Sequence, residues 1–100
     1  MTNFIEIKIF ETAKGYSAPY IERYASSEQD KQLDGYLGAQ IGVDSKPTDR
    51  DIVYIIMTWE NLEKYDTFLR TTHKEMHKNR EKDEHLLSYR SVKFETIKTG

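Results

Sequence analysis

One hundred residues, 37% of them hydrophobic and 32% charged, suffice for one small core and not for two, so the chain reads as a single domain over residues 1–100. Fifteen basic against seventeen acidic side chains leave a formal charge of −2, which supplies no field to recruit nucleic acid or an anionic membrane. The lack of cysteine excludes disulfides, thiolate metal sites and thiol catalysis and suits a reducing cytoplasm. The longest apolar run, Val53 to Met57, falls far short of the ~20 residues that span a bilayer, and Glu6 and Lys8 inside the first apolar stretch argue against a signal peptide.

Residues 4–10 alternate as a strand does, with Ile5, Ile7 and Ile9 on one face and Phe4, Glu6, Lys8 and Phe10 on the other. Lys14 and Gly15 punctuate its end. Ser17 is a helix N-cap, Pro19 is tolerated in the first turn, and Ile21, Tyr24 and Ala25 form a thin stripe on a helix running from about 18 to about 32. Gly35 breaks that helix. Residues 36–44 read as a second strand with Leu37, Ala39, Ile41 and Val43 on one face, while Gly38 and Gly42 opposite them permit a bulge or a close neighbour.

Residues 45–50 are turn formers, and the run from Asp51 to Trp59 is apolar on both faces, which predicts a strand covered on both sides. Asn61 caps a second helix, whose predicted buried stripe is Leu62, Tyr65, Leu69, Thr72 and Met76. A charge run, 78–84, follows, and residues 86–97 close the chain as a strand. The order β-α-β-β-α-β predicts an α+β, ferredoxin-like fold, a four-stranded antiparallel sheet with two helices on one face. Two helices cover only one face of such a sheet, so the apolar remainder predicts a homodimer whose sheets face each other.

Three histidines are present, and His73 and His77 share one face of the second helix at i, i+4 spacing. That pattern suits a metal pair, two partly exposed imidazoles on a polar helix edge, or an axial ligand to heme, and the pattern alone does not choose among them. Trp59 reads first as a core or interface aromatic, as do the tyrosines. Lys74, Lys78, Arg80 and Lys82 alternate with acidic residues as a solvated face does, with some of them free to pair with carboxylates of a bound ligand. Neither a Gly-rich phosphate loop nor a Ser–His–Asp arrangement stands out.

The run Val53-Tyr54-Ile55-Ile56-Met57-Thr58-Trp59-Glu60-Asn61, with Tyr65 and then Phe68-Leu69, resembles the strand-to-helix signature of the antibiotic biosynthesis monooxygenase superfamily. Leu33-Asp34-Gly35-Tyr36-Leu37-Gly38 resembles that superfamily's approach to its second strand. The resemblance implies a dimeric α+β barrel. Its nearest subgroup is the heme-degrading monooxygenases of bacilli, staphylococci and mycobacteria. There a histidine on the second helix ligates heme iron, nine residues after a pocket aromatic and about eighteen after the strand-ending tryptophan.

Phe68 and His77 follow Trp59 by nine and eighteen residues. The resemblance therefore implies heme as cofactor, His77 as the iron ligand, and His73 as the second histidine of bacillus-type members. It also implies Lys74 and Lys78 near the propionates, Phe68 and Trp59 as pocket wall, Lys8 on the distal side, and an external electron donor. Phe68 stands where the family carries a heme-ruffling tryptophan, and Lys8 where it carries an asparagine. Nine residues leave half a turn on an ideal helix, so Phe68 and His77 share a pocket only if the helix kinks between them, for which Thr71 and Thr72 are the expected place. Two other functions fit the same superfamily. One is a cofactor-free monooxygenase of polycyclic aromatic or quinone-type substrates, resting on the tyrosines and Trp59. The other is a non-enzymatic dimeric ligand-binding or stress protein.

Overall fold

The structure, a computed structural model, describes residues 2–25, 33–71 and 84–97. The first strand, β1 (Phe4–Ala13), lies between two antiparallel partners, β3 (Arg50–Trp59) and β4 (Leu86–Glu95), and β2 (Tyr36–Asp44) extends the sheet beyond β3. The strand order is β2-β3-β1-β4. With helices α1 (Ala18–Ala25) and α2 (Leu62–Thr71) this is the predicted βαββαβ fold.

Register decides which side chains meet. Phe4, Glu6, Lys8, Phe10 and Thr12 stand opposite Trp59, Met57, Ile55, Val53 and Asp51, and all ten are buried. This is the helix-covered face. Beneath α1, Tyr20 packs on Phe10, Val53, Ile55 and Met57. Beneath α2, Tyr65 packs on Phe4 and Trp59, and Tyr36 bridges both clusters. Each such side chain contributes roughly 1.5–3 kcal/mol by leaving water. On the opposite face Ile5, Ile7, Ile52, Tyr54 and Ile56 are half-buried, and Val92 and Phe94 of β4 are exposed.

Local chemistry sets the helix starts as the sequence predicts. The Asn61 side-chain oxygen accepts the Lys64 N–H at 2.9 Å, and the Ser17 carbonyl accepts the N–H groups of Tyr20 and Ile21. Gly35 has φ +82°, and its carbonyl accepts the Glu60 N–H at 2.8 Å. A Cβ there would lie 2.5 Å from the Lys64 side chain, so only glycine lets α2 start this close to β2.

Three predicted stripes shift. Gly38, at φ +132°, sits in a bulge opposite Thr58, and the extra residue turns Leu37 out to solvent while Ala39, Ile41 and Val43 keep their common face. In α1 the buried residue is Tyr20, which the stripe of Ile21, Tyr24 and Ala25 omits. In α2 the inward direction is set by Tyr65 with Phe68 and Leu69, so Leu62, on the flank of that direction in the first turn, is exposed. The predicted end of the first helix, Thr72, Met76 and the charge run through Asp83 lie outside the described residues.

The turn after β1 is clasped to the loop between β2 and β3. The Lys14 ammonium donates to the carbonyls of Ser45 and Pro47 and pairs with Asp51 at 3.2 Å, while the Gly15 N–H donates to the other Asp51 oxygen at 3.0 Å. The Gly15 amide, then Lys14, holds the Asp51 carboxyl below its usual range. Ser88 and Arg50 lower Glu11, and Arg50 lowers Asp49. A carboxyl depressed on folding stabilises above its unfolded value, and that stability is lost as pH falls through the folded one. The thermal midpoint, followed by circular dichroism from about pH 7 down to about pH 2, is therefore expected to drop below about pH 4. Asp51→Asn is expected to lower the midpoint at neutral pH and to flatten that acid limb.

Candidate functional site

The covered face of β1 carries two ionisable side chains between two phenylalanines, and both are 6% exposed. Side chains two apart on a strand share a face at about 7 Å, so Glu6 and Lys8 are neighbours. Their partners differ. The Tyr65 hydroxyl, from α2, donates to the Glu6 carboxylate at 2.9 Å, and this contact is fully buried. Burial first, and the adjacent Glu6 charge second, push the Tyr65 phenol well above its usual range, so it is a fixed proton donor.

The Lys8 ammonium lies 3.5 Å from the Tyr24 hydroxyl of α1 and 5.3 Å from the centre of its ring. Among the described residues no carboxylate lies within ion-pair reach of it. Lys93 of β4, opposite Glu6, holds its ammonium 5.9 Å over the Tyr65 ring.

Next to this polar pair stands an aromatic wall. Trp59 closes β3 directly before α2 and is almost wholly buried. Its ring lies 5.0 Å from Phe68, 5.1 Å from Tyr36 and 5.9 Å from Tyr65, and Tyr65 lies 4.7 Å from Phe4. The Trp59 indole N–H is buried with no acceptor among the described residues. A buried donor left without an acceptor costs free energy, and any oxygen that reaches it recovers that cost. A cavity of about 70 Å³ lined by Leu33, Asp34, Lys64, Thr67, Phe68 and Thr71 adjoins the wall, with room for a few waters.

Of the residues the sequence marks for function, Trp59 and Phe68 come together in that wall, and Lys8 shares its face of the sheet. Lys8 lies four residues along β1 from the Phe4 that faces Trp59, about 13 Å in strand length. His73, His77, Lys74 and Lys78 lie outside the described residues. His85, the remaining histidine, stacks on Tyr16 at 3.7 Å at the opposite end of the sheet. Among the described residues no cluster of three His, Asp or Glu side chains forms a metal site, and no helix is long and apolar enough to cross a membrane. Sequence reading passed over Glu6 and Tyr24 as site residues. Their signal was the strand period itself, because a covered Phe4/Phe10 face must bury whatever stands between them.

No family model matches the chain, and no curated protein does. Solved structures match it over nearly their whole length. A candidate antibiotic biosynthesis monooxygenase from Bacillus cereus superposes with a TM-score of 0.82 at 17% identity, covering 100% of this chain and 98% of that one. The heme degrader MhuD of Mycobacterium tuberculosis, with two hemes in its active site, gives 0.73 at 18% identity over 97% and 99% of the two chains. The ActVA-Orf6 monooxygenase of Streptomyces coelicolor, bound to nanaomycin D, gives 0.76 at 15% identity over 98% and 90%. The chain thus has the fold of antibiotic biosynthesis monooxygenases and of MhuD.

The Tyr65–Glu6 contact makes a stability prediction. Tyr65→Phe leaves a buried carboxylate without its donor and is expected to cost roughly 1–3 kcal/mol in denaturant unfolding. Adding Glu6→Met to that variant removes the orphaned charge and is expected to restore most of the loss.

Proposed function

We propose that the chain is a monooxygenase of the antibiotic-biosynthesis type that takes a flat aromatic molecule between the sheet and its helices, with heme as the ligand that the Trp59–Phe68–His77 spacing supports. The observation that carries this reading is the aromatic wall of Trp59, Phe68, Tyr65 and Phe4, with an unsatisfied indole N–H, on the same covered face as the buried Lys8 cation. The chemistry of these residues, aromatic faces with an indole N–H and a cation, suits a flat, apolar molecule with anionic substituents, as a porphyrin is. In this reading His77 would hold the iron, His73, four residues earlier in the sequence, would be the second histidine of the site, and Lys74 and Lys78 would meet the propionates. Phe68 and Trp59 exclude water from the ring, and Lys8 stands on the distal side. When bound, heme supplies the redox-active iron at which, with electrons from an external donor, the porphyrin is opened and iron released. The cysteine-free composition supports a cytoplasmic setting for this chemistry.

A second reading, cofactor-free oxygenation of a polycyclic phenol or quinone, is favoured by one observation. Beside the buried Glu6–Tyr65 pair, the Lys8 ammonium offers a cation to the oxygen of a phenol or quinone substrate, which an iron centre does not need. Hemin titration separates the two. The heme reading expects a saturable, shifted Soret band that His77→Ala abolishes, and loss of that band under air with ascorbate if the ligand is degraded. Absence of a saturable change rejects heme. Oxygen uptake with an aromatic substrate by the colourless protein supports the second reading.

We also propose that a second copy of the chain covers the open sheet face, where Ile7 and Ile56 sit side by side among Ile5, Ile52, Tyr54, Val92 and Phe94. Light scattering is expected to give twice the 11.8 kDa chain mass. Ile7→Lys with Ile56→Lys is expected to give the monomer, and a monomeric parent protein rejects the proposal.

A further inference from the structure

Lys8 is the buried group for which the fold offers least. An ammonium has three N–H donors, and here one long contact to the Tyr24 hydroxyl and the edge of a cation–π contact are what meet them among the described residues. The nearest carboxylate in sequence, Glu6, is engaged elsewhere by the Tyr65 phenol. The side chains facing Lys8 from the neighbouring strands are Ile55 of β3 and Ser91 of β4, neither of them charged. Lys93 and Tyr89 flank Ser91 on the same face, and α1 contributes Tyr24 with Arg23 drawn over Tyr20. Positive charge thus outweighs negative around a nearly sealed position. Burying an ion without a counter-ion is destabilising, so its retention needs a use.

We infer that Lys8 is the internal counter-ion for an anionic oxygen carried by a flat aromatic ligand, held within reach of the Trp59–Tyr65 wall. This rests on the reading of the covered face as the ligand site, and it assigns the charge the ligand must bring. Lys8 completes its hydrogen bonds on the ligand oxyanion, while Glu6, fixed by Tyr65, leaves that place vacant and repels a second negative group. The oxyanion is either a ring-borne phenolate or a porphyrin carboxylate. Neutral aromatic molecules of the same shape bind the wall without engaging Lys8.

Trp59 is the single tryptophan, so quenching of its fluorescence reports occupancy of the wall. Three probes are compared on the full chain: alizarin, whose ionised hydroxyl turns it from yellow to red, hemin, and menadione, which has no ionisable group. In Lys8→Met the affinity for red alizarin or for hemin is expected to fall roughly tenfold or more, with menadione unchanged and Lys8→Arg close to the parent. Loss confined to alizarin identifies the phenolate, and loss confined to hemin the carboxylate. If all three bind Lys8→Met as they bind the parent, the inference is overturned while the aromatic site stands. If none binds the parent, the reading of the site falls and the inference with it. A stability arm is independent of any ligand. Lys8→Met removes an uncompensated charge and keeps the stem, so its thermal midpoint is expected to rise by about 4–8 °C. A fall instead would mean that the fold itself satisfies the ammonium, and would overturn the inference.

Discussion

Two helices cover one face of a four-stranded sheet, and the central strand beneath them presents Phe4, Glu6, Lys8, Phe10 and Thr12 to that cover. The rest of the arrangement follows from this. A carboxylate under a helix requires a donor, and α2 supplies the Tyr65 hydroxyl. An ammonium two residues on requires acceptors, and α1 supplies the Tyr24 hydroxyl at the limit of contact. The two helices are thus each tied to β1 through a phenol, one tightly and one loosely. The apolar packing of Phe10 on Tyr20 and of Phe4 on Tyr65 brackets the polar pair at either end.

The fold was legible because its signals are local and redundant. Strand alternation, the Asn61 cap, Gly35 and the two-faced apolar run of β3 each point to one element, and together they permit one order. The site was legible in part. Trp59 and Phe68 are placed in one wall by β3 and α2, which the sequence spaces correctly. Glu6 and Tyr24 were hidden, because three isoleucines in alternation draw the eye to the wrong side of β1. Those isoleucines face the open side of the sheet, and the mixed face is the covered one. Hydrophobicity ranks faces by how much they gain from burial. In β1 the two helices override that ranking by covering the mixed face.

The displacement of Leu37 illustrates a second limit. Alternation assumes one residue per rung of the ladder, and a single added residue at Gly38 breaks the count. The glycine is visible in the sequence as a permissive position, but whether the strand uses it depends on what lies across the sheet. Here Tyr36 stays opposite Trp59 to join the aromatic cluster, and the bulge absorbs the mismatch. A tertiary contact therefore decides a local irregularity.

The beginning of α2 is fastened on three sides: its cap on Asn61, the Gly35 carbonyl against the Glu60 amide, and the Lys64 ammonium on Asp34 at 2.6 Å. Moving along the helix, Tyr65 adds its bond to Glu6, and Phe68 packs its ring on Trp59. These ties set the height of the helix above the sheet, so the start of α2 is what holds Trp59, Tyr36 and Tyr65 in one register.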